Sequence, residues 1–423
     1  NDAAFYAKWI KDVASQQYPN GMIRNVVPDK PVDQLRSNAG RGTLPPGSSG
    51  WGDAMVIIPW TLYEMFGDKT ILEAVYGSMK KWVEYERENA KNSHWTKKLK
   101  LRKSNQEKQE LIWDTKYHLG EWLEPDVLIR TCWKDILRNM VFSDPIVATA
   151  YYENSVRLLG KAAGVLGKKE DEKEYLTLAD DIKMAYINEF INEDGTTTFY
   201  HDRQAPYVRA INFGYYTEQL KPKLLAQLIE RIKEKDWHLF TGFLSTPFLL
   251  PVLSDAGRTD IAYKILTQED NPSWLYAINK GATTIWEDWE GINEKGAPTG
   301  SHNHYSKGAV VSWLYEYLCG IQLDPETPAY QHFFLMPTLV DDLSYASASF
   351  LSPYGEITSK WEKSGTTVSY QFTIPANTSA SVRIENVKEF PQAKDTLDFS
   401  FGKGVATFDL NSGSYEFVIE AIV

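Results

Sequence analysis

Between residues 3 and 318 apolar positions recur in blocks at the helical period of about 3.6. Phe5, Tyr6, Trp9, Ile10, Val13 and Ala14 share one face of a helix over 3–17, and Pro19-Asn20-Gly21 stops it. The next helix runs from Asp53 to Phe66. Gly67-Asp68 parts it from an amphipathic helix over Lys69–Asn89, patterned through Leu72, Val75, Met79, Trp82 and Tyr85. The pattern predicts further helices over 145–166, 169–191, 203–213 around Pro206, and 221–233. It predicts another opened by the segment Gly242–Pro247 and running to Asp255, then 260–267 and 306–318. A turn at Glu193-Asp194-Gly195 leads into a short extended run over 196–200. After Gly320 the period changes to two. Val368, Tyr370, Phe372 and Ile374 alternate with polar residues, as do Val382 and Ile384, and later Tyr415, Phe417 and Ile419.

Helices in pairs with long connections predict an α/α toroid over residues 1–325. The period-two region predicts an antiparallel β-sandwich over 326–423. No heptad survives the glycine breaks, so a coiled coil is excluded, and no internal repeat is evident.

The long connections carry the unusual residues. Trp286-Glu287-Asp288-Trp289-Glu290 interleaves carboxylates with indoles, and Ser301-His302-Asn303-His304-Tyr305 follows it. Flat apolar rings stack on pyranose C–H groups and carboxylates handle protons and hydroxyls, so this is the composition of a sugar site. It is equally that of a loop whose tryptophans plug the core while its acids face water. Trp113 to Leu123 has the same mixed character. A glycine-rich loop over 40–50 leads directly into Trp51-Gly52-Asp53, where Asp53 is either an ordinary helix N-cap or a site residue. His302 and His304 read as hydrogen-bonding partners, not metal ligands. Lys97, Lys98, Lys100, Arg102 and Lys103 mark a solvated insertion.

Composition narrows the class. The net charge of −11 argues against a nucleic-acid partner, and no apolar run reaches membrane-spanning length. Cys132 and Cys319 stand far apart outside any metal-ligand spacing, which predicts two buried free thiols. Asn1 is not a natural initiator, so the start reads as a processed or cut end. The compartment is left open, with periplasmic or extracytoplasmic space ranked ahead of cytoplasm.

Several segments, in order, resemble the catalytic region of bacterial α-L-rhamnosidases of glycoside hydrolase family 78. They are Phe5–Ile10, Gly50–Ala54 with Ile58-Pro59-Trp60, Gly120–Leu123, Ala148–Tyr152, Thr241-Gly242-Phe243, Pro272–Tyr276, Gly281–Glu287 and Asn303-His304-Tyr305. The resemblance implies an (α/α)6 barrel followed by a β-sandwich, and inverting hydrolysis of terminal α-L-rhamnosides without a cofactor or metal. The substrate would be a rhamnose-containing oligosaccharide, polysaccharide or glycoside. Residue by residue it places Glu287 on the general base, Trp51, Asp53, Trp122 and Trp286 on the sugar pocket, and His304 on a polar contact. The family's general acid lies in an acidic motif upstream of the helix corresponding to 3–17. On this reading the acid and the first barrel helix precede Asn1, and Asp53 is the nearest substitute.

Two other readings compete. A toroid polysaccharide lyase needs a Tyr or His base and cations to neutralise a uronate, for which Arg203 and Arg209 near Tyr207 are on offer. A non-catalytic carbohydrate-binding fragment of the hydrolase is the other.

Overall fold

The computed structural model describes residues 2–28, 45–92, 109–125, 144–293, 295–389 and 399–421. Helix α1 spans Ala3–Ser15, α2 Ala54–Phe66 and α3 Lys69–Lys91. Then come α4 (Pro145–Val165), α5 (Lys169–Phe190), α6 (Ala205–Asn212) and α7 (Lys221–Lys233). α8 (Thr246–Asp255), α9 (Thr259–Leu266) and the short α10 (Trp274–Asn279) complete the series. The final helical stretch, expected as one helix, changes geometry along its length. It is 3-10 over Ser306–Ala309, α over Val310–Trp313 and π over Leu314–Leu318.

Local chemistry explains several boundaries. Proline is tolerated in the first turn, where its missing N–H costs nothing, and Pro206 sets the start of α6 there at Ala205. Asp68 caps α3 by accepting from the Thr70 N–H at 2.8 Å. Ser273 caps α10 by accepting from Tyr276 at 3.0 Å.

α2 pairs with α3, α4 with α5, α6 with α7 and α8 with α9, each through a short connection. The first helices of successive pairs also pack on one another, α2 on α4, α4 on α6 and α6 on α8, and α8 on the final stretch. That is an inner ring with the second helices outside it, the arrangement of an α/α toroid. α4 is buried on nearly all sides, as an inner helix must be. α1 packs on α2 and α3 through Ile10 and Val13, but Phe5 is 64% exposed, so the apolar face expected over 3–17 is only partly covered. Because the helices alternate in direction, the long connections between pairs all emerge at one end. They are the ones that carry the acids and indoles.

Strand β1 (Ile321–Leu323) opens the second region, followed by β2 (His332–Leu335), β3 (Tyr345–Ser352) and β4 (Gly355–Ser364). β5 (Thr367–Ile384), β6 (Val387–Glu389), β7 (Phe399–Gly402) and β8 (Val405–Ala421) complete it. β5 and β8 pair along their full length with a register shift between Ile374 and Ser379. Val368 faces Ile419, Tyr370 faces Phe417 and Val382 faces Phe408, which builds one buried core. The sheet is not wholly antiparallel as expected. β5 runs beyond β4, and its free far half takes β2 in parallel, His332 opposite Ser379.

Two side chains of the sheet bond the end of the helical region. Trp361 Nε1 donates to the Leu318 carbonyl at 2.7 Å, and Ser359 Oγ to that of Cys319 at 2.5 Å. Cys319 is a buried free thiol; Cys132 and the lysine-rich segment 97–103 lie outside the described residues. Between Cys319 and β1 stands Gly320 at φ +75°, where a Cβ would overlap the Pro337 nitrogen. Gly320→Ala is therefore expected to cost about 1–3 kcal/mol, read by urea unfolding. A variant as stable as the parent would show that the seam relaxes freely.

Candidate active site

Four connections at one end of the toroid are bonded to one another in sequence. The glycine-rich loop meets the loop after α3 through His118. Its Nδ1 accepts from the Ser49 N–H at 3.0 Å while Nε2 donates to the Thr115 carbonyl. Burial pushes His118 down to about 4, so the ring is neutral, as one accepting and one donating nitrogen require. Ser48 Oγ adds a bond from the Leu119 N–H at 2.9 Å.

The second loop meets the third through Glu121. Its carboxylate accepts from the Ser245 N–H at 2.8 Å, from Ser245 Oγ at 2.7 Å and from the Arg209 guanidinium of α6. Next to it, the Trp122 carbonyl accepts from the Phe243 N–H at 2.9 Å. The third loop meets the fourth by ring stacking, with Phe243 and His304 centroids 4.9 Å apart and tilted by 30°. The fourth is closed on itself. The His304 N–H donates to the Ile285 carbonyl and the Glu287 N–H to that of Ser301, both at 2.8 Å.

These contacts bring Glu287, His304 and Trp122 into one bonded set of loops, with Trp51 on the loop joined to Trp122. The Ser301 N–H donates to Glu287 Oε2 at 2.9 Å. Among the described residues no donor meets the other oxygen, and the side chain is half-buried. His304 Nδ1 bonds Ser306 Oγ at 3.1 Å, leaving Nε2 as its open end among the described residues. Trp51 and Trp122 are half-buried, and their indoles make no ring contact or hydrogen bond among the described residues. Other tryptophans are engaged, as with Trp82 against Trp113 and Trp274 against Trp289.

Two of the expected sugar contacts are placed otherwise. Asp53 is fully enclosed. One oxygen accepts from the Gly50 N–H at 2.6 Å, the other from Ser155 Oγ at 2.5 Å and Trp82 Nε1 at 3.4 Å. An enclosed carboxyl with both oxygens bonded inward neither accepts from a sugar hydroxyl nor passes a proton to a leaving group. Its reading as a pocket contact and as a substitute acid is corrected accordingly. Nor does it cap α2, since its side chain makes no cap bond. It fixes the turn carrying Trp51. Trp286 is likewise buried, with one face 4.8 Å from the parallel His302 ring. Its other side lies so close to Gly291 that any side chain there would overlap the indole. His302 Nε2 bonds the Gly291 carbonyl at 2.6 Å. Trp286 is thus a backing wall for the loop.

Sequence reasoning missed the groups that hold the loops: His118, Ser245, and Glu86 against Asp53. Glu86 is fully buried; burial first, then the charge of Asp53, raise its pKa well above the usual range, and burial raises Asp53 too. Burial thus disfavours the charged form of both carboxyls. The arginines considered for a uronate are committed elsewhere, Arg209 to Glu121 and Arg203 to Glu124 at 2.6 Å. Neither of these two arginines is therefore free to neutralise a uronate.

The profile of the bacterial alpha-L-rhamnosidase 6 hairpin glycosidase domain matches residues 1–318, and that of the family's C-terminal domain matches 320–394. The chain belongs to the bacterial α-L-rhamnosidase family. It is 35% identical to an alpha-L-rhamnosidase of Formosa agariphila over 95% of this chain and 40% of that one. It is 31% identical to one from Streptomyces avermitilis, over 99% and 36% respectively. The crystal structure of a Streptomyces avermitilis alpha-L-rhamnosidase complexed with L-rhamnose superposes with a TM-score of 0.81 at 30% identity, covering 99% of this chain and 36% of that one. That of the Dictyoglumus thermophilum α-L-rhamnosidase gives 0.82 at 28%, covering 99% and 44%. The chain therefore spans about two fifths of the length of these rhamnosidases.

Two predictions follow from the loop contacts. Arg209→Met leaves Glu121 buried without its cation and is expected to cost about 3–5 kcal/mol in denaturant unfolding. The double variant Glu121→Gln/Arg209→Met should recover much of this; an innocuous single variant would contradict the pairing. For Glu86, a pKa raised on folding means that stability falls as pH rises above the ordinary carboxylate range. Glu86→Gln mimics the protonated acid and carries no such penalty. The stability of the parent relative to this variant should decline as pH rises above the ordinary carboxylate range, and parallel profiles would refute the raised Glu86 pKa.

Proposed function

We propose that the chain carries the base side of an inverting glycoside hydrolase that releases terminal α-L-rhamnose from rhamnosides. The observation that carries this reading is the state of Glu287. One oxygen is tied to the Ser301 N–H, the other is open, and its loop is bonded through His304 and Phe243 to the Trp122 loop. A water on the open oxygen is oriented and loses its proton to the carboxylate as it attacks C1, while the bond from C1 to the aglycone oxygen breaks and that oxygen leaves with the electron pair. Trp51 and Trp122 offer free indole faces to the sugar. Rhamnose has a methyl group where other hexoses carry a 6-hydroxyl, and that methyl suits an indole wall. His304 Nε2 faces a hydroxyl.

Inversion needs a second carboxyl about 6.5–9.5 Å from the first, to leave room for the water. Asp53 and Glu86 are enclosed, and Glu121 and Glu124 are bonded to arginines. The general acid is left unassigned among the described residues. Substrates with good leaving groups depend less on acid catalysis, so p-nitrophenyl α-L-rhamnoside is the appropriate probe. Glu287→Gln is expected to lower its turnover by at least about 10²-fold with the circular dichroism spectrum unchanged. Unaltered turnover would sink the assignment and pass the role to Asp288 or Glu290.

A further inference from the structure

Tyr305 is 86% exposed, more than any other large apolar side chain among the described residues. Its backbone is nonetheless fixed. The Tyr305 carbonyl accepts from the Gly308 N–H at 2.8 Å, which opens the 3-10 turn of the final helical stretch. One residue back, the His304 N–H donates to the Ile285 carbonyl, so Tyr305 ends the segment that is paired with the Glu287 loop. The Tyr305 ring lies parallel to that of His304, with centroids 5.5 Å apart and planes 6° from one another. This is offset stacking, the favoured geometry for such a pair. His304 also meets Phe243, at 4.9 Å, and both of these rings are half-buried. A row of aromatic rings thus starts on the loop bonded to Trp122, passes through His304 and ends in solvent at Tyr305. Position separates this residue from other exposed apolar side chains such as Phe5 and Leu351: it is stacked on a member of the site.

We propose that Tyr305 is a specificity-determining residue on the aglycone side of the site, where its ring stacks on a flat ring joined to C1 of rhamnose. This rests on the sugar-site reading given above. A rhamnosyl unit seated between Glu287 and the indoles leaves the group it is attached to at the edge of the loops. There the exposed row ends in Tyr305. Its ring face is apolar and polarisable, and it matches the C–H face of a pyranose or the face of an aryl group. A short alkyl aglycone offers no such face. The hydroxyl is not needed for this contact, but the ring is. The parallel His304 ring holds the tyrosine in a defined orientation, so little side-chain freedom is lost when a ligand stacks on it.

The test is affinity for S-linked rhamnosides that are not hydrolysed, measured on the whole chain by isothermal titration calorimetry. Methyl 1-thio-α-L-rhamnoside has no ring beyond the sulfur. Phenyl 1-thio-α-L-rhamnoside has an aryl ring, and an S-linked rhamnosyl-glucose has a pyranose. The parent is expected to bind at least one of the ring-bearing compounds about fivefold more tightly than the methyl compound, and the one favoured distinguishes aryl from sugar aglycones. Tyr305→Ala should abolish that gain and leave the affinities for L-rhamnose and the methyl compound unchanged. Tyr305→Phe should keep the gain. Tyr305→Leu, apolar but not flat, gives the same reading if the alanine variant folds poorly. No gain in the parent, or an undiminished gain in Tyr305→Ala, overturns the proposal. Equal weakening of every ligand, L-rhamnose included, also overturns it, since Tyr305 would then act by holding His304. A folded parent that binds no L-rhamnose would instead overturn the sugar-site reading itself, so the two failures are distinguishable.

Discussion

The buried Glu121–Arg209 ion pair is the interaction on which the geometry of this end of the toroid depends. Glu121 belongs to a loop, Arg209 to the inner helix α6, and Ser245 to the segment that leads into α8. A carboxylate buried there without partners would be costly. With Arg209 and both donors of Ser245 it is satisfied, and three separate parts of the chain are pinned at one point. Trp122 follows it in sequence, and its carbonyl takes the Phe243 N–H. The placement of two aromatic side chains thus follows from one charge that must be neutralised.

The same logic runs outward through the neighbouring loops. Long connections leave backbone donors and acceptors that helices and sheets would otherwise pair. Here they are paired between loops, Ser49 with His118, Leu119 with Ser48 and Ser245 with Glu121, or within one, Ser301 with Glu287. Neutral His118 serves the same end, and burial likewise pushes Asp53 and Glu86 towards their uncharged forms. Groups freed from this duty are then conspicuous: one oxygen of Glu287, Nε2 of His304, and the indoles of Trp51 and Trp122. A site built this way is rigid where it holds and open where it works.

Much of the fold was legible in the sequence because its signals are local. The 3.6 periodicity, Gly67-Asp68 and the switch at Gly320 placed most helices and the β region. What was missed depends on distant partners. α10 is six residues long, and its signal was only the capping Ser273 after Pro272. Phe5 and Tyr6 read as core by periodicity, yet periodicity says nothing of whether a neighbour covers the face. The parallel β2–β5 pairing follows from β5 outrunning β4, a length relation invisible within either strand. Composition marked loops that prove to be joined to one another, but not the surroundings of each acid. Asp53 and Glu287 look alike in sequence beside their tryptophans. Only Ser155 and Trp82, from two other helices, turn the first inward.

The central claim is that Glu287, Trp51 and Trp122 frame one sugar site. It is tested most directly by a crystal structure of this chain soaked with L-rhamnose. The account predicts the sugar ring against Trp51 or Trp122, its C1 facing Glu287, and a water between C1 and the carboxylate oxygen not bonded to Ser301. L-rhamnose bound elsewhere, or Glu287 turned away from the sugar with no water on its open oxygen, would contradict it.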